Sequence, residues 1–391
     1  MLAQTQMNSS QEYSYALPME QHEIVQPKQL NRLLQNASDL GVSDIYIEVK
    51  RQIKCRLHGV LEYFTHFDLT RGYVNQLAEI IYGSSGVSSR LVGKDIDCSY
   101  QFKANNKLYR YRVSMAKDIQ GVFIQLRPLE PIPPELSEIG MEPEIIEAMT
   151  TICDRRGHHG NTMGNTFVIA GETGSGKTTS IAALIRYLVQ VSHLKEDGLV
   201  IYTMEAPVEY SYDEIDYGRS VLRQFEKGKN YDVFNDAIRG FMRKSPDVIN
   251  VGETRDYETL DAILQVSNTG HAAITTIHAN SVAQIITRMI DLIPKELRSD
   301  GEVKRVLESM GVAVFQKLMK RKVRDESSNK GGRIALREYL IFTPEVRAYL
   351  LKHIDGNLTQ AVQYCVETYG RSYEQHRVEL VNKGVIDGYV S

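Results

Sequence analysis

The sequence predicts an α/β fold, a mostly parallel sheet covered on both faces, with a smaller α+β domain in front of it. Three observations predict it. From about residue 145 onward, short apolar runs without clean alternation are separated by stretches at helical spacing, as buried parallel strands and their covering helices are. Before that, a helix-spaced segment is followed by several short alternating ones. Between the two lies Arg127-Pro128-Leu129-Glu130-Pro131-Ile132-Pro133-Pro134, whose prolines hold φ and remove backbone donors, which reads as an extended linker.

The elements follow in order. Residues 1–21 are rich in Gln, Ser and Tyr, lack the positive start and apolar stretch of a signal peptide, and read as a flexible tail. The first domain spans 22–127. Leu30, Leu33, Leu34 and Leu40 predict a helix over Gln29–Leu40, and the alternation from Asp44 to Val49 predicts a strand. Further strands are expected at Ile53–Leu57, Cys98–Phe102, Leu108–Ser114 and Val122–Leu126. The linker covers 128–144 and the second domain 145–391. There the buried strands are Thr166–Ala170, Leu199–Met204, Val248–Val251 and Ala272–Ile277. Ile181, Leu184, Ile185 and Leu188 mark one helix, and Leu260, Ile263 and Leu264 another. Beyond Ser281 the chain reads as mainly helical. A hairpin interrupts it, with Phe315–Val323 and Ile334–Ile341 joined by a polar turn through Ser327–Gly332.

Length and charge narrow the class. A chain of 391 residues fits two domains of ordinary size. The net charge of −3 carries no block of like charge, so nucleic-acid binding is not indicated. Lys317, Lys320, Arg321, Lys322 and Arg324 on the hairpin read as a solvated face. The four cysteines are scattered, with no CxxC pair, which indicates neither zinc nor a disulfide framework and suits a reducing, cytoplasmic compartment. No run of about eighteen apolar residues occurs, so any membrane role is expected to be peripheral, through a partner.

The chemistry concentrates on Gly171-Glu172-Thr173-Gly174-Ser175-Gly176-Lys177-Thr178. Its glycines leave backbone N–H groups free to point inward, and the helix that starts near Lys177 aims its positive end at the same spot. A strand directly before and an amphipathic helix directly after are the context such a phosphate loop requires. Gly171, Gly174, Ser175, Gly176, Lys177, Thr178 and Thr179 are therefore the candidate nucleotide-binding residues. Lys177 reaches the β- and γ-phosphates of ATP, and the Thr178 hydroxyl is placed to ligate Mg²⁺.

Ligands of open α/β sheets bind at the carboxyl ends of the strands, so the residues there are the next candidates. They are Glu205, Glu253 and His278. A strand-terminal glutamate taken alone reads as a solvated cap; one that shares a sheet edge with a phosphate loop reads as a catalyst. Glu253 is the candidate general base for the attacking water, Glu205 the residue for Mg²⁺ or its water shell, and His278 a partner of the γ-phosphate. His271, after Gly270, serves either the fold or the site, while Glu209, Arg255, Asp256 and Glu258 read equally as ion-pairing residues.

Taken in order, Gly171–Thr178, Met204-Glu205-Ala206-Pro207-Val208-Glu209-Tyr210, Ser245–Asp256 and Thr269-Gly270-His271 through His278 resemble the Walker A, Asp box, Walker B and His box of the secretion-ATPase superfamily. That superfamily includes pilus-retraction, type II and type IV secretion ATPases. Gly41-Val42-Ser43-Asp44 and Arg56-Leu57-His58-Gly59 look like its first-domain signature, so the resemblance covers nearly all of the chain beyond the tail. It implies a RecA-like ATPase domain, a PAS-like first domain and a homohexameric ring. Such rings use ATP and Mg²⁺ at the cytoplasmic face of the inner membrane, where components of a secretion or conjugation complex are the partners. It also implies that first-domain arginines, here Arg112 and Arg127, close onto the nucleotide, and that Arg239 and Arg243 act within or across subunits.

Tyr369-Gly370-Arg371, Asn382-Lys383-Gly384-Val385-Ile386, the run Gly164–Ala170 and Tyr212-Asp213-Glu214-Ile215 look more like the DotB/TraJ-like branch, which serves type IVB secretion and conjugative plasmid transfer. The chain departs from the superfamily pattern in three places. Ala206 stands where many relatives carry Asp, which leaves metal coordination to Glu205. Asn250 puts an amide in an apolar strand, where burial demands a hydrogen-bond partner. The Ala-Ile-Arg-Asn-Leu-Ile element associated with pilus retraction is missing. A pilus-retraction motor and a nucleotide-gated scaffold with little turnover are the competing readings. A DNA-pumping motor would need a basic lumen that the composition does not advertise.

Overall fold

The computed structural model describes residues 26–129, 132–154, 164–322 and 332–387, so the tail expected over 1–21 lies outside the described residues. The chain divides into two compact units. The first runs to Pro131 and takes in Ala206–Tyr210; the second holds Ile132–Glu205 and everything from Ser211 onward.

The first unit contains α1 (Pro27–Asp39), β1 (Asp44–Ile47), β2 (Lys54–Leu57), β3 (Val60–Tyr63), α2 (Arg71–Tyr82), α3 (Val87–Arg90), β4 (Ile96–Ala104), β5 (Lys107–Lys117) and β6 (Val122–Leu129). Its sheet runs β3-β2-β1-β6-β5-β4 and is antiparallel at every pairing. Pro27 presets the first turn of α1, and Leu30, Leu33, Leu34 and Ala37 form its buried stripe. On β5 the alternation separates the two faces of the sheet. Tyr109, Tyr111, Val113 and Met115 enter the core, while Arg110 and Arg112 take the other side.

Three elements of this unit, α2, the single turn α3 and β3, stand where none is expected. α2 has Val74, Leu77, Ala78 and Ile81 buried at helical spacing, a Thr70 cap and a left-handed Gly83 at its end, so its pattern was available in the sequence. β3 is exposed along its whole length and carries no burial alternation to read.

The second unit contains α4 (Leu136–Ile139), α5 (Pro143–Cys153), β7 (Thr166–Ala170), α6 (Lys177–Gln190), β8 (Val200–Glu205), β9 (Val221–Glu226), α7 (Phe234–Met242), β10 (Val248–Val251), α8 (Tyr257–Asn268), β11 (Ala272–Ile277), α9 (Val282–Leu292), α10 (Asp300–Ser309), β12 (Met310–Lys320), β13 (Arg333–Ile341), α11 (Pro344–Leu351), α12 (Leu358–Tyr369) and α13 (Tyr373–Asn382). Its sheet runs β13-β12-β7-β11-β10-β8-β9 and is parallel except for β13. The mixed α/β architecture matches the predicted fold class.

Both faces are covered. Phe167 and Ile169 pack with Leu184, Ile185 and Leu188 of α6, and the alternate residues Val168 and Ala170 pack with Leu264, Ile286 and Leu307. On the same side as the latter group but under α7, Tyr202 stacks on Phe241. Asp256, Ser281, Ser299, Thr343, Asn357 and Ser372 cap successive helices by accepting from a backbone N–H in the first turn.

Residues 128–144, read as extended linker, also carry structure. β6 continues through Pro128 to Leu129, α4 makes one turn, and α5 opens at Pro143. Pro128 pairs with Tyr111 on β5, while β1 on the other side pairs only with Ile124–Leu126, so the missing N–H costs no ladder bond. β12 begins at Met310, five residues before the expected start, because Met310–Val314 is an unbroken apolar run that periodicity cannot assign. The turn expected through Ser327–Gly332 and the side chain of Arg324 fall largely outside the described residues. The four cysteines are buried free thiols. No helix among the described residues is long and apolar enough to cross a membrane.

Candidate active site

The loop from Gly171 to Thr178 joins β7 to α6. Gly171, Gly174 and Gly176 adopt φ of 153°, 80° and 85°, which side chains with a Cβ rarely adopt. Gly176 is the N-cap of α6, so Lys177, Thr178 and Thr179 occupy the first turn, where backbone N–H groups have no partner inside the helix. That end of α6 attracts anions through its exposed donors and its dipole. The Lys177 Nζ donates to the carbonyls of Gly171 at 2.7 Å and Glu172 at 2.9 Å, spanning the loop from inside. Ser175 is buried, and its hydroxyl has no hydrogen-bond partner among the described residues.

The strand order sets the sequence of groups beside the loop. β11, which ends before His278, lies next to β7; β10, which ends before Glu253, comes second; β8, which ends in Glu205, comes third. Three strand spacings put β8 about 14 Å from β7. Glu253 is held between two cations or donors. Arg255 Nη2 stands 2.6 Å from one carboxylate oxygen and His278 Nε2 3.3 Å from the other. The loop carrying Glu253 is fixed by the Thr276 hydroxyl, which donates to the Gly252 carbonyl at 2.7 Å, and by the Thr254 backbone N–H, which donates to Thr276. Glu205 is buried, and its Oε1 accepts from the Thr203 hydroxyl at 2.7 Å and from the Gln224 amide at 3.2 Å.

Of the other candidates, Asp256 is the N-cap of α8, accepting from Thr259 at 2.8 Å. His271 precedes β11, at the amino end of a strand whose carboxyl end faces the phosphate loop, and its Nδ1 lies 2.9 Å from the Thr269 hydroxyl. Asn250 is buried, and its side-chain oxygen has no hydrogen-bond partner among the described residues. Arg239 and Arg243, at the end of α7, are exposed.

Arg112 and Arg127 belong to the first unit, where they are paired across the β5–β6 ladder. Arg112 contacts Glu209 at 3.2 Å and Arg127 contacts Asp44 at 2.9 Å. Burial would raise the Asp44 carboxyl, but hydrogen bonds from Arg127, Ser43 and Gln125 outweigh it and hold the group below its ordinary range.

Two residues escaped the sequence reading. Arg110 is buried, and its guanidinium donates to the carbonyls of Glu209 at 2.9 Å and Val208 at 3.0 Å, which ties the 206–210 segment to β5. Its spacing of two from Arg112 was the available sign. Gln316, a polar residue inside the apolar run of β12, backs the phosphate loop.

The family described as type II/IV secretion system protein matches residues 19–384. An uncharacterised Escherichia coli protein, YggR, is 31% identical over 279 residues, covering 69% of this chain and 75% of its own length. The X-ray structure of the Legionella pneumophila ATPase DotB superposes with a TM-score of 0.82 at 32% identity, over 94% of this chain and 95% of that one. The crystal structure of the pilus retraction motor PilT with bound ADP gives a TM-score of 0.70 at 26% identity, over 91% and 94%.

Proposed function

Because the chain belongs to the type II/IV secretion system protein family, we propose that it is a homohexameric motor coupling ATP hydrolysis to transport or assembly in a type IVB secretion or conjugative plasmid transfer system. That it is an ATP-hydrolysing enzyme with a RecA-like domain follows from the family and from its likeness to the DotB and PilT ATPases. The observation that carries the proposal furthest is the shared sheet edge of the Lys177 loop, His278 and Glu253.

In this reading the first-turn N–H groups of α6 and Lys177 hold the phosphates, and Glu253 takes the proton from the attacking water. His278, 3.3 Å from Glu253, orients that carboxylate and reports the state of the γ-phosphate. Arg112 and Arg127 offset charge that develops on the transferred phosphoryl group. Mg²⁺ would neutralise phosphate charge, with the Thr178 hydroxyl and Glu205 as its residues or those of its water shell. The donors are all oxygens, and among the described residues no cluster of three His, Cys, Asp or Glu forms a closed cage. Such a donor set fits a cation that keeps most of its waters and binds through substrate phosphates.

A position at the cytoplasmic face of the inner membrane, held by envelope-complex partners, completes the reading. The test is a Lys177→Ala allele in the native host, together with the mass of the purified protein against six copies of the 44.4 kDa chain. Loss of plasmid transfer or of protein translocation, with surface motility retained, supports the proposal. The likeness to a pilus retraction motor favours a second reading, in which the same allele abolishes motility and leaves transfer intact.

A further inference from the structure

Behind the phosphate loop runs a buried polar chain that none of the roles above uses. Its first member is Gln316 on β12, the strand next to β7. The Gln316 side-chain Nε2 donates to the carbonyl of Ser175 at 2.6 Å. Its Oε1 accepts from the Ser180 hydroxyl at 2.8 Å and from Arg337 Nε at 2.7 Å. Arg337, on β13, is fully buried. Its remaining nitrogens donate to the carbonyls of Gly140 at 2.8 Å and Ile139 at 3.2 Å, and to Glu142 at 3.1 Å. Arg371 also pairs with Glu142 and, at 3.5 Å, with Glu379, so two guanidinium groups face two carboxylates.

We propose that Gln316 is a positioning residue for the phosphate loop, and that Arg337 fixes the direction of its amide. The inference rests on the reading of Gly171–Thr178 as the nucleotide loop and deepens it. A loop that cradles phosphates must turn its N–H groups inward, and the carbonyls on the opposite side of the same peptides must then find donors outside the site. Ser175 finds its donor in Gln316. The amide stands in one orientation only, because turning it over would set its NH₂ against a guanidinium donor and its oxygen against a carbonyl.

The glycines record how closely the loop rests on this residue. A Cβ at Gly171 would lie 2.3 Å from the Gln316 carbonyl, and one at Gly176 would lie 3.0 Å from its side-chain nitrogen. Loosening the loop affects ground and transition states alike, since both hold the same phosphates. It therefore raises KM and Kd together and leaves kcat nearly unchanged.

The experiment uses the full chain and compares Gln316→Glu and Gln316→Met with wild type for ATP affinity, KM, kcat and thermal unfolding. Gln316→Glu keeps the acceptor for Arg337 and Ser180, but replaces the donor to Ser175 by an acceptor and adds a negative charge opposite Arg337; Gln316→Met removes donor and acceptor alike. We expect the Glu variant to fold and to bind ATP about tenfold more weakly, the loss of one hydrogen bond, with KM rising in step and kcat within about threefold. The Met variant binds at least as weakly and unfolds at a lower temperature; if it does not fold, the Glu variant decides. Wild-type affinity in a folded Gln316→Glu protein overturns the proposal, as does a fall in kcat at constant KM. Lys177→Ala is measured in parallel. If that variant binds ATP like wild type, the nucleotide-loop reading itself has failed, whatever Gln316 does.

Discussion

Arg112 and Arg127 stand directly opposite one another across the β5–β6 ladder, each held by a carboxylate, Glu209 for the first and Asp44 for the second. Two guanidinium groups at opposed positions repel, and the two carboxylates offset that repulsion. Arg112 is about half exposed, so its pairing with Glu209 contributes only about 0–1 kcal/mol, whereas Arg127 donates twice to the buried Asp44 and is held more firmly.

Arg112→Ala is accordingly expected to lower steady-state ATP turnover about 10²-fold, the effect of removing one preorganised donor from a developing negative charge. Nucleotide affinity should change little. Turnover within twofold of wild type would take Arg112 out of the reaction.

Glu253→Gln removes the base while leaving an amide of the same shape between Arg255 and His278. Turnover should fall roughly 10²-fold or more with ATP still bound, as measured by filter binding alongside phosphate release. If wild type itself hydrolyses no faster than this variant, the chain works as a nucleotide-gated scaffold.

Arg337→Met tests the buried network as a stabilising element. Glu142 retains Arg371 and Gln316 retains the Ser180 hydroxyl, but the carbonyls of Ile139 and Gly140 lose the Arg337 donor and the Gln316 amide loses one of its two. Breaking a buried, hydrogen-bonded charge pair costs about 3–5 kcal/mol, and the remaining arginine puts this case near the lower end. Urea unfolding followed by far-UV circular dichroism gives the number.

The pH dependence follows from His376 on α13. Burial, with Arg371 and Arg337 beside it, pushes the ring below its ordinary value of 6.5 even though Glu142 pulls the other way. The ring is thus neutral, accepting from the Arg337 backbone N–H at 3.0 Å, and its 3.6 Å approach to Glu142 is no ion pair. With the folded-state value depressed, the unfolded chain takes up a proton first as pH falls. Stability is full above about 6.5 and declines below it. Between pH 7.5 and 5.5 the unfolding midpoint of wild type should drop more than that of His376→Gln; equal slopes would show that the ring titrates as it does in water.

Much of the second unit was legible in the sequence, because its chemistry depends on spacing. Gly171–Thr178, proposed as the nucleotide loop, takes its shape from glycines at positive φ, so the glycine pattern between an apolar strand and a helix already describes it. Strand ends are equally local, which is why Glu205, Glu253 and His278 were found at once, and why their order across the sheet was not. β9 and β3 were missed for one reason. β3 is exposed throughout, and the inward positions of β9 are Leu222, Gln224 and Glu226, so neither shows the apolar alternation that would distinguish it from a loop.

By itself, then, the sequence determined the fold class and singled out the glycine loop and the strand-end carboxylates as candidates, since each is written in contiguous residues or in a short period. Only the tertiary structure decided which groups meet. It placed β11, β10 and β8 at increasing distance from β7, attached Val208 and Glu209 to Arg110 from a distant strand, and set Gln316 and Arg337 behind the loop. Those partners are separated by tens to more than a hundred residues. Hydrogen bonds between them depend on how the strands are ordered and packed, and strand order is not encoded in any local pattern of the chain.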